Sequence, residues 1–204
     1  MARVIAFAGS KGGTGKSTLS HLAAHGAGSL PRPIATVVVT TDPEDALAEG
    51  DRRYVVVDGR SPLLLANQLQ RLLGVERLLV IIDGVANRSD VDRILGEVAD
   101  LVIIPYGPSA QDGARAAANL MALPMAVGMP NRWPTHPGVA RRARRWLEAV
   151  SGNRRLPALK AIPRLDALLS QESYGEIAYE IAAPARGLIL EILAKARIDP
   201  DELN

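Results

Sequence analysis

The stretch Ser10-Lys11-Gly12-Gly13-Thr14-Gly15-Lys16-Ser17-Thr18 combines glycines, two lysines and adjacent hydroxyls directly after the apolar run Val4–Ala8. Glycines let a backbone wrap closely around an anion with its N–H groups turned inward. A lysine then reaches the β- and γ-phosphates, and a serine or threonine hydroxyl holds magnesium. Gly15-Lys16-Ser17 supplies those parts, and a helix starting there adds the positive end of its dipole. The chemistry predicted is capture of a nucleoside triphosphate along residues 10–18. A dinucleotide fingerprint is absent, because Thr18 stands where G-x-G-x-x-G needs its last glycine after Gly15.

Aspartates follow apolar runs at three further points: Val39-Thr40-Thr41-Asp42-Pro43-Glu44, Val57-Asp58-Gly59 and Ile82-Asp83-Gly84. Carboxylates at the carboxyl ends of strands lie where open α/β sheets gather ligands. Asp42 also reads as a helix N-cap before Pro43. The runs Val4–Ala8, Ile34–Val39, Tyr54–Val57, Leu78–Ile82, Leu101–Ile104 and Pro124–Met129 predict buried strands, with Leu156–Ile162 a weaker seventh. Helical spacing covers 16–28, 61–73, 88–98, 111–122, 137–150 and 183–196, with Ser61-Pro62 a typical start. The alternation predicts one α/β domain over 1–204: a mostly parallel twisted sheet of about seven strands, helices on both faces.

Composition narrows the chemistry. The 204 residues contain no cysteine, which excludes disulfides, thiolate metal sites and cysteine nucleophiles. Three scattered histidines make no metal cage, and 3% aromatics leave little for stacking unpaired bases. No apolar run approaches the ~18–20 residues of a membrane span, and the start is too short for a signal peptide, so a cytoplasmic protein is expected. Charge is uneven. Between Pro130 and Leu165 nine cations face the single acid Glu148, a local +8 that leaves −6 elsewhere in a chain of net +2. Arg141, Arg142, Arg144 and Arg145, on a helix turning Trp146 and Leu147 inward, with Arg154 and Arg155 in the next loop, can hold phosphates without reading bases.

The loop departs from the ordinary pattern, with Ser10 in place of the first glycine and Lys11 before the double glycine. Here the sequence resembles the ParA/MinD family of deviant Walker A ATPases, whose hallmark is K-G-G-x-G-K-[ST]. The segment Ala99-Asp100-Leu101-Val102-Ile103-Ile104-Pro105 is similar to that family's strand after the Walker B acid. The resemblance implies ATP and Mg2+ as ligands. It implies that Lys11 crosses a nucleotide-sandwich homodimer to the partner's phosphates, with Gly12, Gly13, Thr14, Gly15, Lys16, Ser17 and Thr18 cradling the subunit's own.

Asp42 matches the second aspartate of the family's D-x-D-P-Q switch and would act near magnesium on the attacking water; Thr40 and Glu44 depart from that pattern. Ser17, Asp42 and, through a water, Asp83 would hold the metal, with Asp58 the alternative to Asp83. Asn131, Arg132 and Pro163 (in Ile162-Pro163-Arg164) fall where relatives contact adenine, and Tyr174-Gly175 with Tyr179 loosely fits the family's end pattern. Cysteine-bearing branches do not fit, nor do those ending in a basic membrane helix, since an acidic tail follows 183–196. What remains resembles the small ParA type, which implies an ATPase that segregates plasmids or chromosomes, grips double-stranded DNA non-specifically on the nucleoid, and answers to a ParB-like centromere-binding protein, without a membrane. A MinD-like or cargo-positioning regulator and a dethiobiotin synthetase-like ligase are the alternatives.

Overall fold

The computed structural model describes residues 1–42, 52–84, 89–123, 125–152, 154–162, 165–169 and 179–204, without side chains at 89–93, 146–149 and 166–167. Pro43, Glu44, Pro163, Arg164, Tyr174 and Gly175 lie outside the described residues, as do the side chains of Trp146, Leu147 and Glu148.

Among these residues six strands form one sheet: β1 (Arg3–Phe7), β2 (Thr36–Thr40), β3 (Val55–Asp58), β4 (Leu79–Asp83), β5 (Leu101–Tyr106) and β6 (Ala126–Pro130). They lie side by side as β3-β2-β4-β1-β5-β6, and every pairing is parallel. A parallel sheet is covered on both faces, so its strands run apolar throughout instead of alternating. Ile5, Phe7, Val38, Leu79, Ile81 and Ile103 enter one core, beneath α1 (Lys16–Gly28) and α6 (Ala182–Ala196). Val4, Ala6, Val37, Val39, Val80 and Ile82 enter the other. That core is closed by α2 (Pro62–Leu72), α3 (Ser89–Val98), α4 (Ala110–Ala122) and α5 (Pro137–Ser151). Each large aliphatic side chain withdrawn this way contributes about 1.5–3 kcal/mol.

The helix starts follow local chemistry. Ser61 accepts from the Leu64 N–H with Pro62 in the first turn, and Ser109 accepts from the Asp112 N–H. The seventh strand is a correction. Residues 155 and 160 make only isolated parallel bridges, to Gly128 and Trp133. Pro157 between them has no N–H to give a ladder, so this segment follows the β6 edge without becoming a strand.

Register places the site. Phe7 pairs with Asp83, and Asp83 with Thr40, so three strand ends stand level at one rim of the sheet.

Candidate nucleotide site

The loop after β1 is shaped by its glycines. Gly13 and Gly15 have φ of +72° and +95°, the left-handed region where a side chain is strained. A Cβ on Gly15 would also stand 2.6 Å from Asn131 Nδ2 and would push that amide aside. Gly15 is the N-cap of α1, whose first N–H groups open toward the loop. Lys16 is 7% exposed and its Nζ donates to the Lys11 carbonyl (2.9 Å), which folds the ammonium back over the loop. A cavity of about 240 Å3 opens here, lined by Gly13, Lys16, Ser17, Asp42, Arg132 and Leu169 among others. Partial positive charge from the helix end, one ammonium and one guanidinium therefore border the same space.

Lys11 stands at the mouth of the loop in an ion pair with Asp112, in the first turn of α4. Burial pushes the Asp112 carboxyl up, but hydrogen bonds from Lys11 and Ser109 and the charges of Lys11 and Arg115 outweigh it and hold the pKa below the usual value.

The aspartates divide by position. Asp83 is 1% exposed at the end of β4 beside β1, and Ser20 Oγ of α1 lies 3.4 Å from its Oδ1. Its carbonyl accepts from both the N–H (3.0 Å) and the hydroxyl (2.8 Å) of Thr41, which fixes where Asp42 leaves β2. Gly84 donates back to Phe7 (2.9 Å), so the ends of β1, β2 and β4 are stitched together. Asp58 ends the edge strand β3 and is gripped by Arg60 through Nε (3.0 Å) and Nη2 (2.8 Å). Those bonds, with the Arg60 N–H, bring its pKa down to about 2. Ser17, Asp42 and Asp83 are hard oxygen donors of the kind magnesium takes, and Ser17 and Asp42 share one cavity wall, so the residues fit that ion.

A second cavity of about 310 Å3 adjoins, lined by Gly15, Thr18, Asn131, Arg132, Ile162 and Leu165 among others. Asn131 donates to the Thr14 carbonyl (2.9 Å) and accepts from the Arg132 N–H (2.8 Å), which ties the end of β6 to the loop through its own amide. Arg132 is left-handed at φ +53°.

On α5, Arg141, Arg142, Arg144 and Arg145 are exposed while Ala143 is buried. At 3.6 residues per turn the four arginines fan over about 160°, with Ala143 diametrically opposite. Arg154 behaves differently: its guanidinium donates to the carbonyls of Leu120 (3.1 Å), Leu123 (3.0 Å) and Ala126 (2.7 Å), and so clamps the turn between α4 and β6. Arg155 is half-buried and close enough to Tyr106 to act on its phenol. Sequence reasoning missed Asp112, which reads there only as an acid in a first helical turn, and Leu165 and Leu169, which carry no motif.

A phosphate loop between a central parallel strand and its following helix defines the P-loop NTPase architecture. Three solved structures share it over nearly the whole chain. Apo McdA of Cyanothece has 15% identity and a TM-score of 0.67, covering 94% of this chain and 100% of its own. A protein of Borrelia burgdorferi described as a plasmid partition protein, bound to AMPPNP, has 14% identity and a TM-score of 0.70, covering 96% and 100%. MinD of Pyrococcus horikoshii with Mg-ADP has 16% identity and a TM-score of 0.65, covering 96% and 95%. The structural neighbours are thus ParA/MinD-type ATPases, and the fold is theirs. No protein-family model matches the sequence, and no curated protein matches it either.

Proposed function

We propose that this chain is a magnesium-dependent partition ATPase that pairs across ATP, holds double-stranded DNA without reading it, and lets go on hydrolysis. The observation that carries this reading is the glycine cradle bordered by two lysines, Lys16 folded over the loop and Lys11 at its mouth. In the proposal Lys16, Gly12, Gly13, Thr14, Gly15, Ser17 and Thr18 bind the triphosphate of their own subunit. Lys11 leaves Asp112 and reaches the partner's. Asn131, Arg132 and Pro163 flank the nucleoside.

Ser17, Asp42 and Asp83 would hold magnesium, and the ion would supply neutralisation of phosphate charge. Asp42 orients a water for in-line attack on the γ-phosphorus. The new P–O bond forms as the bond to the ADP oxygen breaks, and the water's proton leaves to solvent or phosphate. Such catalysis is mostly positioning and charge neutralisation, so the rate is slow until a partner adds to it. A ParB-like DNA-bound protein, with an arginine in trans, is the partner this chemistry fits. The α5 arginines form the DNA face, and the nucleoid is where the dimer resides.

The test uses the purified chain with ATP and Mg2+. Light scattering should show a dimer with ATP that Lys11→Ala abolishes, and DNA retardation should require ATP. Lys16→Ala should remove ATP binding altogether. A nucleotide-loaded protein that stays monomeric and leaves DNA unretarded ends the partition reading. Turnover driven by a small acid, phosphorylated in the process, would put a ligase in its place.

A further inference from the structure

Arg52 leads into β3 and is half-buried between α1 and the 3-10 turn Leu165–Leu168. Its Nη1 donates to the Leu168 carbonyl (2.7 Å) and to Tyr54 Oη (3.0 Å), and its guanidinium carbon lies 5.8 Å from the Tyr54 ring centre. Tyr54 Oη is 2.8 Å from Nδ1 of His21, five residues after Lys16 on α1. Arginine only donates, so Tyr54 Oη accepts from Arg52, and the Oη–Nδ1 hydrogen bond is donated by whichever of Tyr54 and His21 carries the proton between them. Burial, with the charge of Arg52, keeps that imidazole neutral by drawing its pKa down to about 4.

This chain of bonds ends on the turn that walls both cavities. Leu168 is itself buried in the core beneath α1, while Leu165 lines the larger cavity beside Thr18 and Asn131 and Leu169 lines the phosphate side. A short 3-10 turn leaves its last carbonyls without internal partners. Arg52 supplies a donor to one of them across 116 positions of sequence.

We propose that Arg52 is a positioning residue for the nucleotide: braced by Tyr54 and His21, it pins the Leu168 carbonyl and thereby sets the wall that Leu165 forms beside Thr18 and Asn131. The proposal rests on the nucleotide reading above and adds a residue outside every nucleotide motif.

The experiment is calorimetric titration of the wild type, Arg52→Met, Arg52→Lys and Tyr54→Phe with ATP and with inorganic tripolyphosphate, all with Mg2+. Arg52→Met should weaken ATP about tenfold, the worth of a charged hydrogen bond to a buried carbonyl, and tripolyphosphate far less. Tyr54→Phe should weaken ATP in the same direction by a smaller factor, and Arg52→Lys should recover part of the loss. A general loosening of the fold would weaken both ligands alike and overturns the proposal. So does an Arg52→Met protein with native circular dichroism and ATP affinity within twofold of wild type. Should Arg52→Met not fold, Tyr54→Phe decides: unchanged ATP affinity overturns the idea, selective loss for ATP supports it. A wild type that binds no nucleotide brings down the functional reading and this proposal together, an outcome the variants alone cannot produce.

Discussion

Asp58 and Asp83 end their strands with the same Val/Ile-Asp-Gly signature, yet their surroundings differ in kind. Asp58 spends its oxygens on Arg60 at the sheet edge, whereas Asp83 sits beside β1 against Ser20 of α1. If Asp83 serves magnesium, Asp83→Asn should lower ATP turnover about a hundredfold, and Asp58→Asn should leave it within about twofold. Equal losses in a steady-state assay would remove the distinction.

His21 offers a second prediction at this scale. Its folded pKa of about 4 lies below the ordinary 6.5, so the unfolded chain takes up that proton first as pH falls. Stability is unaffected by His21 above pH 6.5 and declines between 6.5 and 4, by roughly 3 kcal/mol at the acid end. Urea unfolding at pH 7 and pH 4.5 should show this loss reduced in His21→Gln; an identical decline in both proteins would contradict it. The glycine loop ahead of α1 was legible because its residues are contiguous. Asp112 was not, since its meaning depends on a lysine 101 positions away. The hydrogen bonds of Arg154 were hidden for a related reason: its charge is visible in sequence, the carbonyls it donates to are not.

At the scale of elements, the apolar runs located every strand of the sheet, because a strand buried on both faces must be apolar throughout. Six helical spans were legible from their spacing, with Ser61 at the start of α2. Residues 156–162 are apolar enough for a strand but carry Pro157, and a missing donor outweighs composition there. How elements approach one another was hidden. Gly26 on α1 meets the backbone of α6 so closely that a Cβ would stand 2.1 Å from the Ala185 carbonyl oxygen. The two helices must therefore separate to admit even a methyl group. Overpacking of this kind costs about 1–3 kcal/mol, which in a chain of this size lowers Tm by roughly 3–10 °C. Gly26→Ala should show that drop in calorimetry, whereas Gly187→Ala on α6, with nothing near its added Cβ, should not. A Tm unchanged by Gly26→Ala would mean the helices part at no cost.

Over the whole molecule, charge and fold combine into one quantitative expectation. Of the local +8 between residues 130 and 165, four exposed cations, Arg141, Arg142, Arg144 and Arg145, share one helix, whereas the exposed Arg154 donates to backbone carbonyls. Four arginines fanned on one helix suit about four phosphates per subunit. Each neutralised phosphate contributes about −0.9 to the slope of log affinity against log salt. If these arginines hold DNA, a single subunit would give a slope of about −4 and two subunits joined across ATP one of about −7. In the proposed dimer, pairing would double the number of phosphates that the arginines neutralise. Fluorescence anisotropy on duplexes of unrelated sequence, between low and moderate salt, should return the steeper slope with ATP and equal affinity for each duplex. Replacing the four α5 arginines by alanine should flatten it toward zero while ATP-driven dimerisation persists. A slope near −7 that survives those replacements would place the DNA face elsewhere, and a slope that stays shallow with ATP present would separate nucleotide binding from DNA binding altogether.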